Sequence, residues 1–203
     1  MIGIIDYGTG NIRSVFNAFR YLGEEPVICE DPESFKNMEK LVFPGVGSAK
    51  NAMQELENRK LIDPLIDYVN SGRPFLGICL GMQLLLDKST EAGGCGCLAI
   101  IPGEVGSFVR GDKFKVPQIG WNTVKILKKE CPLFKGIEDE SYFYFVHSCC
   151  CSPKDLELWA GRTEYADQLY ASVIWKDNIY AVQFHPERSQ KNGLKLLENF
   201  CKI

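Results

Sequence analysis

The chain has 203 residues, 45% hydrophobic and 24% charged, with a formal net charge of -3. That length suits one domain around a sizeable core. The slight acidity and the lack of a basic stretch argue against nucleic acid as a partner, and no apolar run is long enough to span a bilayer.

Read in chain order, residues 2–6 form a strand, and 11–22 form a helix with Ile12, Val15, Phe16, Phe19 and Leu22 on one face and Gly23 as its stop. The start, Met1-Ile2-Gly3-Ile4-Ile5, lacks the basic region and cleavage site of a secretion signal, so a cytoplasmic protein is expected. Strands follow at 26–29 and 40–43, the second ending in the turn Pro44-Gly45-Val46-Gly47. Ser48 is placed to cap a helix over 49–58, and 62–71 is helical. A near-continuous apolar strand, 74–79, runs into a helical stretch over 80–88. Strands alternating with helices indicate an α/β domain with a mostly parallel sheet. The second half differs, with antiparallel strands expected at 104–108, 123–127, 142–146, 169–175 and 179–183. Lys176-Asp177-Asn178 turns between the last two, and an amphipathic helix over 191–201 closes the chain. No linker or repeat divides it, so residues 1–203 read as one domain.

Nine cysteines without a secretion signal read as reduced thiols rather than a disulfide framework. Cys149-Cys150-Cys151 would point alternately to opposite faces of a strand, no CxxC pair occurs, and there are only two histidines. Neither a metal nor another cofactor is expected.

Three segments carry chemistry. In Gly77-Ile78-Cys79-Leu80-Gly81-Met82-Gln83 a strand enters a helix through a turn flanked by glycines, the layout that exposes a nucleophile. The helix N-terminus would favour negative charge on sulfur. A cysteine taken alone is more often a buried structural residue. The second segment, Gln183-Phe184-His185-Pro186-Glu187, supplies the missing base. Two residues apart in an extended segment, His185 and Glu187 can share a side, so the carboxylate would orient the imidazole. In the third, small residues at Pro44-Gly45-Val46-Gly47 would let backbone N–H groups join that of Leu80 around an oxyanion. His147 reads as structural or partner-facing rather than catalytic.

Together these segments resemble the class I glutamine amidotransferases of the Cys–His–Glu type, along essentially the whole chain. The likeness includes Ile4-Ile5-Asp6-Tyr7-Gly8-Thr9-Gly10-Asn11, the Pro44-Gly45-Val46-Gly47 turn, residues 77–85 and Val116-Pro117-Gln118-Ile119-Gly120-Trp121-Asn122. It continues through Phe145-Val146-His147-Ser148 and residues 183–189. It implies a flavodoxin-like fold, a mostly parallel sheet flanked by helices with antiparallel strands in the C-terminal half. It also implies that Cys79 attacks the side-chain amide of L-glutamine, with His185 and Glu187 completing the triad. Gly45, Val46 and Leu80 fall at the oxyanion positions, and Gly47, Gln83, Ser148 and Cys149 at the substrate positions. Asn11, Trp121 and Arg188 fall on a partner-facing side.

In the nearest branch of the family, ammonia passes to a separate HisF-like (β/α)8-barrel cyclase. The products there are imidazole glycerol phosphate and AICAR, on the route to histidine. A sister branch aminates sugars of surface polysaccharides with HisF-like partners. The acceptor binds on the partner, so this chain leaves both open. A reading from another class, a non-catalytic binding or regulatory module, is disfavoured by the intact triad. Two departures stand out: Cys149-Cys150-Cys151 where aromatic residues are usual, and Arg188 where lysine is usual.

Overall fold

The computed structural model describes residues 1–8, 11–109 and 114–203. Thr9 and Gly10 of the opening motif lie outside the described residues. The first half alternates as expected: β1 (Ile2–Ile5), α1 (Ile12–Tyr21), β2 (Val27–Cys29), α2 (Pro32–Phe35), β3 (Lys40–Gly45), α3 (Ala49–Asn58), α4 (Ile62–Asn70), β4 (Phe75–Cys79) and α5 (Leu80–Gln83). Two short strands follow, β5 (Lys88–Ser89) and β6 (Cys95–Gly96). Then come β7 (Gly103–Ser107), β8 (Gln118–Ile126), β9 (Ser141–His147), β10 (Cys149–Pro153), β11 (Trp159–Tyr165), β12 (Gln168–Lys176), β13 (Ile179–Val182) and α6 (Gln190–Cys201).

The strands β2-β1-β3-β4 pair in parallel, and β13 returns from the end of the chain to lie parallel to β4. Beyond β13 the sheet is antiparallel through β12, β10 and β7, and β5 and β6 form its edge. A branch leaves β12 through β11 to β8 and β9, all antiparallel. The fold is therefore the expected α/β one, with antiparallel strands in the C-terminal half.

Strand pleating sends alternate side chains to opposite faces. Ile5, Leu41, Phe43 and Phe75 meet α3 and α4 through Ala52, Leu56, Leu65 and Tyr68 in one core. Ile4, Val42, Leu76 and Ile78 meet α1 and α6 through Val15, Phe19, Leu196 and Phe200 in the other. The cysteine run obeys the same rule. Cys149 and Cys151 belong to the first core, while Cys150 packs against the second.

The helix expected over 80–88 is corrected to a single turn, α5. Its termination has a physical cause: the carbonyls of Leu84, Leu85 and Leu86 accept from the N–H groups of Leu98, Ile100, Ile101 and Ala99. They are thus withdrawn from any continuing helix. Ser48 caps α3 as expected, accepting from the Asn51 N–H. Among the described residues no helix is long and apolar enough to cross a membrane.

Candidate active site

Cys79 ends β4, between the Gly45 end of β3 and β13. Its backbone lies at φ 54° and ψ -108°, a conformation that costs a non-glycine residue about 1–3 kcal/mol. Glycine permits the turn. A Cβ on Gly81 would stand 1.8 Å from the Phe43 carbonyl oxygen, so the start of α5 lies directly against β3. A Cβ on Gly77 would meet the Gly81 backbone at 3.1 Å.

His185 follows β13, and its N–H donates to the Tyr144 carbonyl at 2.9 Å. The segment is not extended here: Pro186–Arg188 is a 3₁₀ turn closed by Arg188 N–H to the His185 carbonyl. The turn still brings His185 Nδ1 within 2.9 Å of Glu187 Oε1, with the Glu187 carboxylate wholly buried. Because the carboxylate accepts, Nδ1 carries the proton and Nε2 is left for the sulfur. Burial alone would lower the His185 pKa. Hydrogen bonds to Cys79 and Glu187, reinforced by their charges, outweigh it and raise the value to about 10. This pairing of thiol, imidazole and carboxylate equips the site for nucleophilic attack followed by protonation of a leaving group.

A cavity of about 270 Å³ opens over Cys79, Leu80, Val46 and His185. Gly47, Gln83, Ser148 and Cys149 also line it, so the expected oxyanion and substrate positions, with Gly45 one residue away, converge on one space. Its size falls just below the range of about 300–1,000 Å³ usual for small-molecule sites and suits a single amino acid.

The positions expected to face a partner are more dispersed in their surroundings. Trp121 is 46% exposed and packs edge-on against Tyr144 at 5.8 Å, beside exposed Ile119 and Tyr142. Arg188 is exposed. Asn11 is half-buried, and its Nδ2 donates to Glu187 Oε1 at 3.2 Å, a contact with the expected triad that the sequence reading missed.

Glu91 and Gln183 were also missed, the first lining the cavity and the second in contact with Cys79 without lining it. Glu91 lines the cavity from a 3₁₀ turn after β5, with Oε2 accepting from Ala49 N–H at the start of α3. No local pattern marks it. Gln183, read as the last residue of a strand, is wholly buried, with Nε2 3.7 Å from Cys79 Sγ. The His185-Pro186-Glu187 motif beside it was the available signal. His147 lines the cavity; its Nδ1 donates to the Cys149 carbonyl at 2.6 Å, and Nε2 accepts from the Tyr170 hydroxyl at 3.2 Å. Burial, with the nearby charge of His185, overcomes that hydrogen bond and lowers its pKa to about 4, so the ring is neutral.

Residues 3–203 match the family model for glutamine amidotransferase class-I. The chain belongs to the class-I glutamine amidotransferase family. Within it, the chain is 45% identical over 203 residues to "Imidazole glycerol phosphate synthase subunit HisH" of Chlorobium chlorochromatii (strain CaD3), with both chains fully covered. A protein of the same name from Desulfitobacterium hafniense is 46% identical over 202 residues, covering all of this chain and 94% of that one. The fold matches "PurLQS from Thermotoga maritima" with a TM-score of 0.78 at 15% identity, covering 99% of this chain and 97% of that chain. It also matches a "putative gmp synthase subunit a protein" from Thermoplasma acidophilum, with a TM-score of 0.72 at 20% identity and coverage of 99% and 92%.

Proposed function

We propose that this chain is the glutaminase subunit of an imidazole glycerol phosphate synthase, a single amidotransferase domain working beside a HisF-like (β/α)8-barrel cyclase. The observation that carries the reading is that Cys79 and His185, the latter held by Glu187 at 2.9 Å, line the same amino-acid-sized cavity. Full-length identity to relatives bearing that name supports histidine synthesis over sugar amination.

Cys79 Sγ attacks the side-chain carbonyl carbon of L-glutamine. Backbone N–H groups at Val46 and Leu80 take the developing oxyanion. The tetrahedral intermediate collapses to a γ-glutamyl thioester as the C–N bond breaks and His185 delivers its proton to the departing ammonia. His185 then takes a proton from water, which attacks the thioester, and glutamate leaves as the thiol is restored. Glu187 keeps the Nδ1 proton in place throughout. Gln83 and Glu91 suit the α-ammonium of the substrate, as acceptors on the cavity wall. The exposed Trp121, Ile119 and Tyr142 form an apolar surface fit for the barrel. The nine free cysteines suit the reducing cytoplasm, where we place the complex.

Glutamate release tests this reading, measured for the chain alone, with the cyclase, and with the cyclase plus its formimino nucleotide substrate. Release should be greatest in the full mixture and absent in Cys79→Ala. Partner-dependent release indifferent to the nucleotide would redirect the search to another acceptor. No release from a verified complex would overturn the glutaminase reading.

A further inference from the structure

We propose that Gln183 is a positioning residue for the nucleophile, its carboxamide N–H held toward Cys79 Sγ by a hydrogen-bond chain anchored on the Cys149 carbonyl. The inference rests on Cys79 being the nucleophile and extends that reading to a fourth side chain.

The donors can be ordered from one fixed point. A backbone carbonyl only accepts. Gln83 Nε2 lies 3.3 Å from the Cys149 carbonyl oxygen, which sets the Gln83 amide with its nitrogen on that side. The same nitrogen lies 3.2 Å from the Gln183 side chain, whose facing atom must therefore be the oxygen, Oε1. Gln183 Nε2 then turns to Cys79 Sγ, 3.7 Å away, as a donor. Cys151 Sγ lies 3.9 Å from Gln183 Oε1. Burial, with the neighbouring cysteines, raises the Cys151 pKa well above the usual thiol value, so Cys151 remains an S–H donor and supports the same orientation.

Gln183 is completely buried, and the β13 residues before it, Ile179–Val182, are apolar in their core contacts. A buried carboxamide is costly unless its atoms are satisfied, so a residue of this kind at this place needs partners on both ends. Its main chain is fixed as well, by Gln183 N–H to the Ser172 carbonyl at 2.9 Å.

The consequence is chemical. In the neutral form the Cys79 S–H has the Val146 carbonyl at 3.8 Å as an acceptor. An N–H donor stabilises a charged sulfur more than a neutral thiol. Gln183 thus favours the reactive form and fixes where the sulfur sits. Both Gln83 N–H bonds are spent in the chain, on the Cys149 carbonyl and Gln183, leaving its oxygen for a ligand in the cavity.

The test uses the full chain and follows alkylation of Cys79 by iodoacetamide against pH, read by mass spectrometry of the Cys79 peptide. Gln183→Met keeps the length and removes the donor; Gln183→Glu keeps the shape and puts an acceptor against sulfur. The midpoint of the curve should move up by about one pH unit in Gln183→Met and further in Gln183→Glu, with kcat in the cyclase complex falling about tenfold at neutral pH and KM little changed. Should Gln183→Met fail to fold, Gln183→Glu carries the same readout. A folded variant with the wild-type midpoint would overturn the role of Gln183. Wild-type Cys79 inert to a diazoketone analogue of glutamine in the complex would instead overturn the glutaminase reading.

Discussion

Asn11 and Glu187 are joined by a 3.2 Å hydrogen bond from the Asn11 carboxamide to Oε1, the oxygen that also holds His185 Nδ1. Asn11 stands just before α1, yet its side chain does not cap that helix; its own oxygen accepts from Ser14 Oγ at 2.6 Å. The residue expected to face the partner therefore also touches the triad's carboxylate. Any displacement of Asn11 on docking would reach His185 through one shared atom.

Asn11→Ala should lower kcat for glutamine hydrolysis about tenfold, the low end for a hydrogen bond to a charged group at about 1.5 kcal/mol. Steady-state kinetics in the complex checks it. An unchanged kcat would mean that Glu187 is held well enough by its burial.

The raised pKa of His185 has a sign that stability should follow. Burial opposes it, but Cys79 and Glu187 prevail and hold it at about 10 against 6.5 for the free group. A value raised on folding contributes stability that is complete below about 6.5 and is lost as pH rises through 10. Urea denaturation midpoints across that window should therefore fall more in the wild type than in His185→Asn. Parallel curves would contradict the pairing.

Gly81→Ala should be among the most damaging single changes, because its Cβ would lie 1.8 Å from the Phe43 carbonyl oxygen. A loss of about 3 kcal/mol or more is expected from such overpacking against backbone. Gly23→Ala meets nothing within 4 Å but sits at φ +86°, and should cost only about 1 kcal/mol. Chemical denaturation of the two variants orders them; equal midpoints would count against the close approach.

Trp121→Ala should weaken binding of the cyclase by about 2 kcal/mol, the scale of an aromatic anchor, while leaving Cys79 alkylation unchanged. Titration calorimetry with the purified partner measures it. Wild-type affinity would move the docking surface away from Trp121, Ile119 and Tyr142.

The segments that bring Cys79, His185 and Glu187 together were legible because each sits where an apolar strand meets a turn, marked by Gly77 and Gly81 on one side and His185-Pro186-Glu187 on the other. What escaped had weaker local signals. The extended run at Cys149-Cys150-Cys151 alternates between the two cores as expected, but its three identical side chains show no polar alternation that would mark the bounds of β10. β11 carries register shifts around Gly161, which break the period-two pattern. The length of α5 was misread because Leu84, Leu85 and Leu86 give their carbonyls to residues 98–101, a tertiary contact absent from the local sequence. Asn11, Glu91 and Gln183 joined the site for the same reason: each reaches it through a side-chain contact or cavity made only by the fold.

The most direct measurement is acid quenching of the complex during glutamine turnover, followed by mass spectrometry of the peptide containing Cys79. A γ-glutamyl thioester on Cys79, present in the wild type and absent in Cys79→Ala, is the expected result. Steady glutamate production with no adduct on Cys79 in the wild type, and undiminished turnover in Cys79→Ala, would contradict it.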